Sequence, residues 1–233
     1  MSSLSIIIPV FNEADQIEAT ILPLLENLDL EIIVVDGGST DQTVEIAQSL
    51  GLKVIVSPEK GRAHQMNCGA RVASGEILLF LHADTRLSQG YQKVIQQTLS
   101  LPGVIAGAFE LAIDGDENSL RWIEKMVNLR SRLLSLPYGD QGIFLSSSVF
   151  VEMGGFAPIP IMEDFELIQR LKKRGKIWIA PQSILTSGRR WQKLGVWQTT
   201  LINQLIILGY YSGIPLHTLE HLYRKNKKTR LLK

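Results

Sequence analysis

Glu31-Ile32-Ile33-Val34-Val35-Asp36-Gly37-Gly38-Ser39-Thr40-Asp41 is the stretch that decides how this chain folds. A short apolar run without alternation reads as a strand buried on both faces, as in a parallel sheet. It breaks into an acidic, glycine-rich turn. A second run, Glu76-Ile77-Leu78-Leu79-Phe80-Leu81, breaks the same way into His82-Ala83-Asp84. In open α/β sheets ligands bind beyond the carboxyl ends of the strands. Two carboxylates there point to a ligand with polar edges and to a divalent cation. The plainer alternative is that Asp36 opens a turn and Asp84 caps a helix, since Asp is favoured in both jobs.

Working outward, strand and helix patterns alternate. Strand Ser5–Val10 precedes a helix from Asn12, an apt N-cap, with Ile17, Ile21, Leu24, Leu25 and Leu28 at helical spacing. Pro23 falls inside that helix and is expected to kink or split it. Ser39 and Gln42 have capping-box spacing for a helix ending at Gly51. Strand Val54–Val56, helix His64–Ala73 and strand Ile77–Leu81 complete a series that implies right-handed crossovers. Further on come a helix Tyr91–Leu101, a strand Val104–Ile113 and a long helix Asn118–Leu136. A turn-rich loop 137–142, an apolar run Ile143–Leu145 and a helix from Asp164 to Gly175 follow.

Of the 233 residues, 45% are hydrophobic and one, Cys68, is a cysteine. One large α/β domain, with or without a small extension, fits that length. A lone thiol forms no internal disulfide, so a reducing, cytoplasmic setting is expected. Neither a signal peptide nor a membrane-spanning run is read. The net charge of +1 conceals an asymmetry: residues 1–120 carry 6 Lys+Arg against 16 Asp+Glu, and residues 121–233 carry 18 against 7. After Glu220 come Arg224, Lys225, Lys227, Lys228, Arg230 and Lys233 without an acid. Such a tail suits an anionic membrane surface or is simply a solvated end. No nucleic-acid motif accompanies it. Trp197, Leu201, Leu205, Ile206 and Leu208, mixed with Gln198, Asn203 and Gln204, read as a packed helix or a homodimer contact sooner than as a membrane anchor.

These motifs together resemble glycosyltransferase family 2. The likeness rests on Ser5-Ile6-Ile7-Ile8-Pro9-Val10-Phe11-Asn12-Glu13, Val34–Asp41 and Met162-Glu163-Asp164-Phe165-Glu166-Leu167 with Arg170 and Gly175 behind it. It covers residues 4–191. Gly61–Asn67, Leu81–Thr85 and Gly139-Asp140-Gln141 are similar to one bacterial subgroup of unassigned transferases. The resemblance implies a GT-A fold, a mostly parallel Rossmann-like sheet flanked by helices, over residues 1–192. Residues 1–113 would serve the donor, 114–192 the acceptor, and 193–233 would form a helical extension.

It further implies a nucleotide-diphosphate sugar donor, a divalent cation (Mn²⁺ or Mg²⁺), and inversion at the anomeric carbon. The implied donor set is Pro9, Asn12, Glu13, Asp36, Arg62, His82, Ala83 and Asp84. Asp36 would bind the base, Asp84 would hold the metal, and Asp164 would be the catalytic base. Asp140, Gln141, Glu163, Arg190 and Trp191 would face an acceptor, which could be lipid-linked with the protein peripheral on a membrane. The first place of the family's Asp-x-Asp metal motif is His82. Imidazole can ligate Mn²⁺ and suits Mg²⁺ poorly, so His82 is open between metal ligand, phosphate or ribose contact, and packing. Arg62 is open between a diphosphate contact and a surface arginine. A sugar nucleotidyltransferase would need a Gly-rich, Arg-containing loop where Pro9–Glu13 stands. A nucleotide-sugar-binding protein that has lost its chemistry at His82 is the non-enzymic alternative.

Overall fold

The computed structural model describes residues 3–26 and 30–228, with side chains throughout except at 190, 193, 194 and 224–228. Eight strands form one sheet in the order β3-β2-β1-β4-β7-β6-β8-β5. Its first half is the series expected from the apolar runs: β1 (Leu4–Val10), β2 (Leu30–Asp36), β3 (Lys53–Val56) and β4 (Ile77–Phe80), all parallel. Three helices connect them: α1 (Ala14–Leu25), α2 (Thr43–Ser49) and α3 (Arg62–Val72). Alternate residues of one strand feed two separate cores. Ile6, Ile8 and Val34 face one layer, whereas Ile7, Ile33 and Val35 face the other. Double-sided burial is why these strands read as unbroken apolar runs. α3 lies close on the sheet because Gly69 leaves room: a Cβ there would come within 2.5 Å of Ile7.

Pro9 sits in a central strand without breaking it. Ile7 offers its carbonyl to Leu81 on the β4 side, and Val10 offers its own to Gly37 on the β2 side. By alternation Pro9 faces the β4 side. The β1–β4 ladder ends at Ile7, so the missing N–H leaves no gap.

The second half of the sheet is mixed. β7 (Ile143–Ser146) runs antiparallel between β4 and β6 (Val104–Ile113). β6 pairs in parallel with β8 (Lys176–Thr186), which in turn takes the two-residue β5 (Thr85–Arg86) antiparallel. α4 (Tyr91–Leu99) and α5 (Asn118–Leu134) flank β6 in the chain, and α6 (Ser147–Glu152) and α7 (Glu163–Lys172) lie between β7 and β8. α8 (Arg189–Leu194), α9 (Val196–Tyr211) and α10 (Leu216–Lys228) follow the last strand.

Three local expectations are corrected. α1 starts at Ala14, and Asn12 caps nothing; it has φ 53° and its Oδ1 accepts from Thr40 N–H. The Ser39–Gln42 box does not form: Ser39 Oγ accepts from Asn12 N–H, and α2 starts at Thr43 with Gln42 at its N-cap and no side-chain cap bond. In both cases the caps are spent joining two loops across the sheet end. Pro23 does not split α1; the helix runs through it and stops at Leu25. Leu28 lies outside the described residues.

Candidate active site

The carboxyl ends of β1, β2 and β3 are level: Val10 pairs with Asp36, and Asp36 with Val56. Two loops are laced together above them. Asn12 and Ala14 donate their N–H groups to Ser39 and Asp41 of the loop after β2, and Glu13 donates its own to Thr43 at the start of α2. Gln65 of α3 closes the gap from below, its amide donating to the Val10 and Val35 carbonyls at 2.7 and 2.8 Å. Asp36 is 3% exposed, and its carboxylate accepts from Gly38 and Ser39 N–H. The turn-opening reading of Asp36 therefore holds. Oδ2 accepts from both of these N–H groups and Oδ1 from Ser39 alone, which leaves Oδ1 a lone pair for a ligand N–H.

Past β4 the chain places Ala83 and Asp84 differently. Ala83 is buried, and its carbonyl accepts from Thr20 of α1 at 2.8 Å, which fixes the turn. Asp84 stays half-buried and faces Arg189, at 3.3 Å. The same guanidinium contacts Glu13 at 2.7 Å. Glu13, Arg189 and Asp84 thus form an acid–base–acid bridge between the loop after β1, the loop after β4 and α8.

His82 points the other way, into a pocket walled by Arg62, Phe80, Gly139, Ile143, Glu163 and Asp164. Arg62 Nη1 lies 3.0 Å from His82 Nε2. An arginine can only donate, so His82 is neutral with its proton on Nδ1. Burial, and secondly Arg62, pull its pKa down to about 3. Arg62 Nε also lies 2.7 Å from Glu163, which is 3% exposed. Burial raises the Glu163 carboxyl above its usual range, and Arg62 opposes that shift.

Asp164 is held by two backbone groups. Gly139 N–H donates to Oδ2 at 2.6 Å and Phe165 N–H to Oδ1 at 2.7 Å. Gly139 is the spacer of the pocket. A Cβ there would lie 3.0 Å from Asp164 Oδ2 and 3.1 Å from His82 Nε2. Its loop is braced by Gln141, fully buried, whose amide donates to the Phe109 carbonyl and accepts from Ser131 and Tyr138. Arg130 of α5 stacks on Tyr138, 3.6 Å from the ring centre. α9 braces the other side, with Tyr210 and Tyr211 against Phe165.

One expected acceptor contact is thereby corrected. Gln141 has no surface to offer a ligand and acts as the brace of the loop. Trp191 is half-buried and packs against Leu111, Ile113, Leu120, Ile123 and Val196. The Arg190 side chain lies outside the described residues. Asp140 adds a carboxylate whose field reaches Arg62 and Arg130. Arg189, Gln65 and Gly139 are site residues that the sequence alone did not single out, though Gln65 and Gly139 lie inside quoted motifs and Arg189 stands next to Arg190.

Among the described residues no three His, Cys, Asp or Glu side chains gather as a metal cage. The residues present fit a cation in a narrower way. Asp84 is an accessible carboxylate with Glu13 across Arg189, and Mg²⁺-type ions are commonly held by one or two carboxylates together with a substrate's phosphates. His82 fits less well, since its Nε2 lone pair is taken by Arg62.

The family model "Glycosyl transferase family 2" matches residues 5–160. An uncharacterized glycosyltransferase of Rickettsia bellii is 41% identical over 85 residues, covering 36% of this chain and 29% of its own. A PGL/p-HBAD biosynthesis glycosyltransferase of Mycobacterium bovis is 40% identical over 91 residues, 36% of each chain. The chain thus spans about a third of the length of these curated relatives. Among solved structures, a Pyrobaculum calidifontis mannosyltransferase in complex with GDP-Man and Mn²⁺ superposes with TM-score 0.69 at 19% identity. That match covers 97% of this chain and 71% of the other. The glucosyl-3-phosphoglycerate synthase of Mycobacterium tuberculosis, in complex with Mn²⁺, UDP and glucosyl-3-phosphoglycerate, gives 0.63 at 21%, covering 92% and 81%. The fold is GT-A, as the motif resemblance implies.

Proposed function

This chain belongs to glycosyl transferase family 2, and we propose that it moves a sugar from a nucleotide-diphosphate donor to an acceptor hydroxyl, with inversion and with a divalent cation. The observation that carries this is the division of the carboxylates. Asp36 and Asp84 stand at the strand ends, and Asp164 stands across the His82–Gly139 pocket on a separate helix. Inversion needs that separation, because the proton acceptor must lie on the face opposite the leaving diphosphate.

In this reading Asp36 accepts from the base of the donor. Pro9, Asn12 and Glu13 shape the loop above it. His82 offers Nδ1–H to a phosphate or ribose oxygen. Arg62 holds His82 and Glu163 and leans toward the diphosphate; guanidinium suits that charge. Asp84 would hold the cation, Mn²⁺ or Mg²⁺, which offsets charge on the departing nucleotide. Arg189, which lies between Glu13 and Asp84, keeps the two carboxylates apart from each other's charge until the donor arrives. Asp164 removes the proton from the acceptor hydroxyl as its oxygen bonds to the anomeric carbon. The sugar–phosphate bond breaks and its electron pair leaves with the diphosphate. Residues 1–113 and 114–192 would supply the donor and acceptor sides, and 193–233 an extension.

The sugar nucleotidyltransferase alternative is weakened by the loop after β1. Its N–H groups at Asn12, Glu13 and Ala14 are consumed by Ser39, Thr43 and Asp41, so no anion cradle is left at the start of α1. A binding protein without chemistry is separated from the enzyme by turnover alone. The test is a panel of UDP- and GDP-sugars, each with and without Mn²⁺, read by thermal stabilisation and slow donor hydrolysis. Metal-dependent stabilisation with hydrolysis is expected. Stabilisation without hydrolysis favours the binding protein, and neither response with any donor overturns the assignment.

A further inference from the structure

The outward faces of α5 and α9 carry an apolar surface that the site does not use. On α5, Trp122, Met126, Leu129 and Leu133 are exposed at spacings of four, three and four residues. With about 100° per residue they share one stripe. On α9, Trp197, Leu201, Leu205 and Leu208 are exposed, Trp197 by 70%. Val196–Tyr211 contains no charged residue. The two stripes meet where the Trp122 and Trp197 rings lie 5.5 Å apart. Neither helix is obliged to show this face for want of another. α5 buries Leu120 and Ile123, and α9 buries Ile202 and Ile206. A contiguous apolar surface of this kind marks an interaction site.

We propose that this face docks on an anionic lipid surface. Charge decides between a lipid and a second copy of the chain. Arg121, Lys125 and Arg132, all exposed, fall together on one flank of the α5 stripe, about 60–100° from Trp122; Arg121 and Arg132 also pair with Glu124 and Glu110, pairs that anionic headgroups would compete for at the exposed arginine ends. Cations bordering apolar side chains, with tryptophans between, is the arrangement of an interfacial helix. The half of the sequence that carries both helices has 18 Lys+Arg against 7 Asp+Glu. Self-association through this face would bring two such halves together, whereas anionic headgroups neutralise them. No described helix is long and apolar enough to cross a membrane, so the contact is a lying-on one.

The same two helices also brace the Asp164 end of the cleft, through Arg130 and Ser131 on α5 and Tyr210 and Tyr211 on α9. Docking would set that end beside the bilayer. That consequence, a lipid-borne acceptor, rests on the transferase reading; the docking itself does not.

The experiment is co-sedimentation of the full chain with vesicles of phosphatidylcholine alone or mixed with phosphatidylglycerol, at low and high salt. Wild type should bind the mixed vesicles, and salt should weaken the binding. The double variant Leu129→Glu with Leu205→Glu should bind roughly tenfold or more weakly. Both leucines are exposed, so its thermal melt and circular dichroism should match wild type. Equal binding by wild type and variant, or no binding by either, overturns the proposal. So does a wild-type dimer, seen by light scattering, that the variant converts to monomer without any vesicle binding. Donor titration of both proteins in vesicle-free solution keeps the two readings apart. Docking without donor binding would sink the transferase assignment and leave the docking intact.

Discussion

Asp36 and Asp164 mark the two ends of one cleft, and they are held in opposite ways. Asp36 takes its hydrogen bonds from Gly38 and Ser39, two and three residues along its own turn. Asp164 takes its key bond from Gly139, twenty-five residues earlier, on a loop that stands only because Gln141, Ser131 and Arg130 hold it. The Asp36 carboxylate is therefore preset by local chemistry, and the Asp164 carboxylate by long-range packing. Disturbance of α5, of the 138–141 loop or of α9 should reach catalysis while sparing donor binding.

The sharpest way to break that comparison is Asp164→Asn, which keeps the shape and removes the proton acceptor. Donor hydrolysis should fall by ~10²–10⁴-fold with donor affinity unchanged. Loss of affinity would place Asp164 at the donor end. Two glycines give the next contrast. Gly139→Ala drives a methyl against Asp164 and His82, so turnover should fall on the order of tenfold or more with a small change in donor affinity. Gly38 has φ 93° and open space around it. Gly38→Ala should instead cost about 1–2 kcal/mol of stability through backbone strain, seen as a lower melting temperature.

The smallest effect is a pH effect. The His82 pKa lies near 3 in the fold against 6.5 in the unfolded chain. Between those values the folded state binds fewer protons, so His82 makes stability fall as pH drops from 6.5 toward 3. His82→Gln should flatten that slope in acid denaturation. An unchanged slope would mean that His82 is not buried neutral beside Arg62.

The same contrast explains what could be read from the chain. β1 to β4 and their helices follow from apolar runs and turn residues, all within local reach. β8 did not announce itself: Lys176–Thr186 contains Pro181 and Gln182, and its pairing with β6 slips in register at Phe109 and Glu110. α6, six residues after Ser146, is too short for a helical period. β5 is two residues long. At the site, Asp36 and Asp84 stood out because each follows an apolar run, whereas Asp164 was indicated by the motif resemblance alone. Arg189 was passed over in favour of Arg190 and Trp191. Neighbouring residues on a helix point about 100° apart, and nothing in Gly188-Arg189-Arg190-Trp191 says which one turns inward. The contact with Glu13 that selects Arg189 spans 176 residues. Gln141, quoted for its motif, proved to be a buried brace for the same reason: its partners Phe109 and Ser131 are distant in the chain.

The central claim, that the strand ends bind a nucleotide-diphosphate sugar through a cation on Asp84, is tested most directly by calorimetric titration. Wild type and Asp84→Ala would each be titrated with the stabilising donor, with and without Mn²⁺. Wild type should bind more tightly with Mn²⁺. Asp84→Ala should lose that gain, at least ~10–100-fold in affinity, while its melt without donor stays that of a folded protein. Identical donor affinity in both proteins, with and without Mn²⁺, would contradict the account.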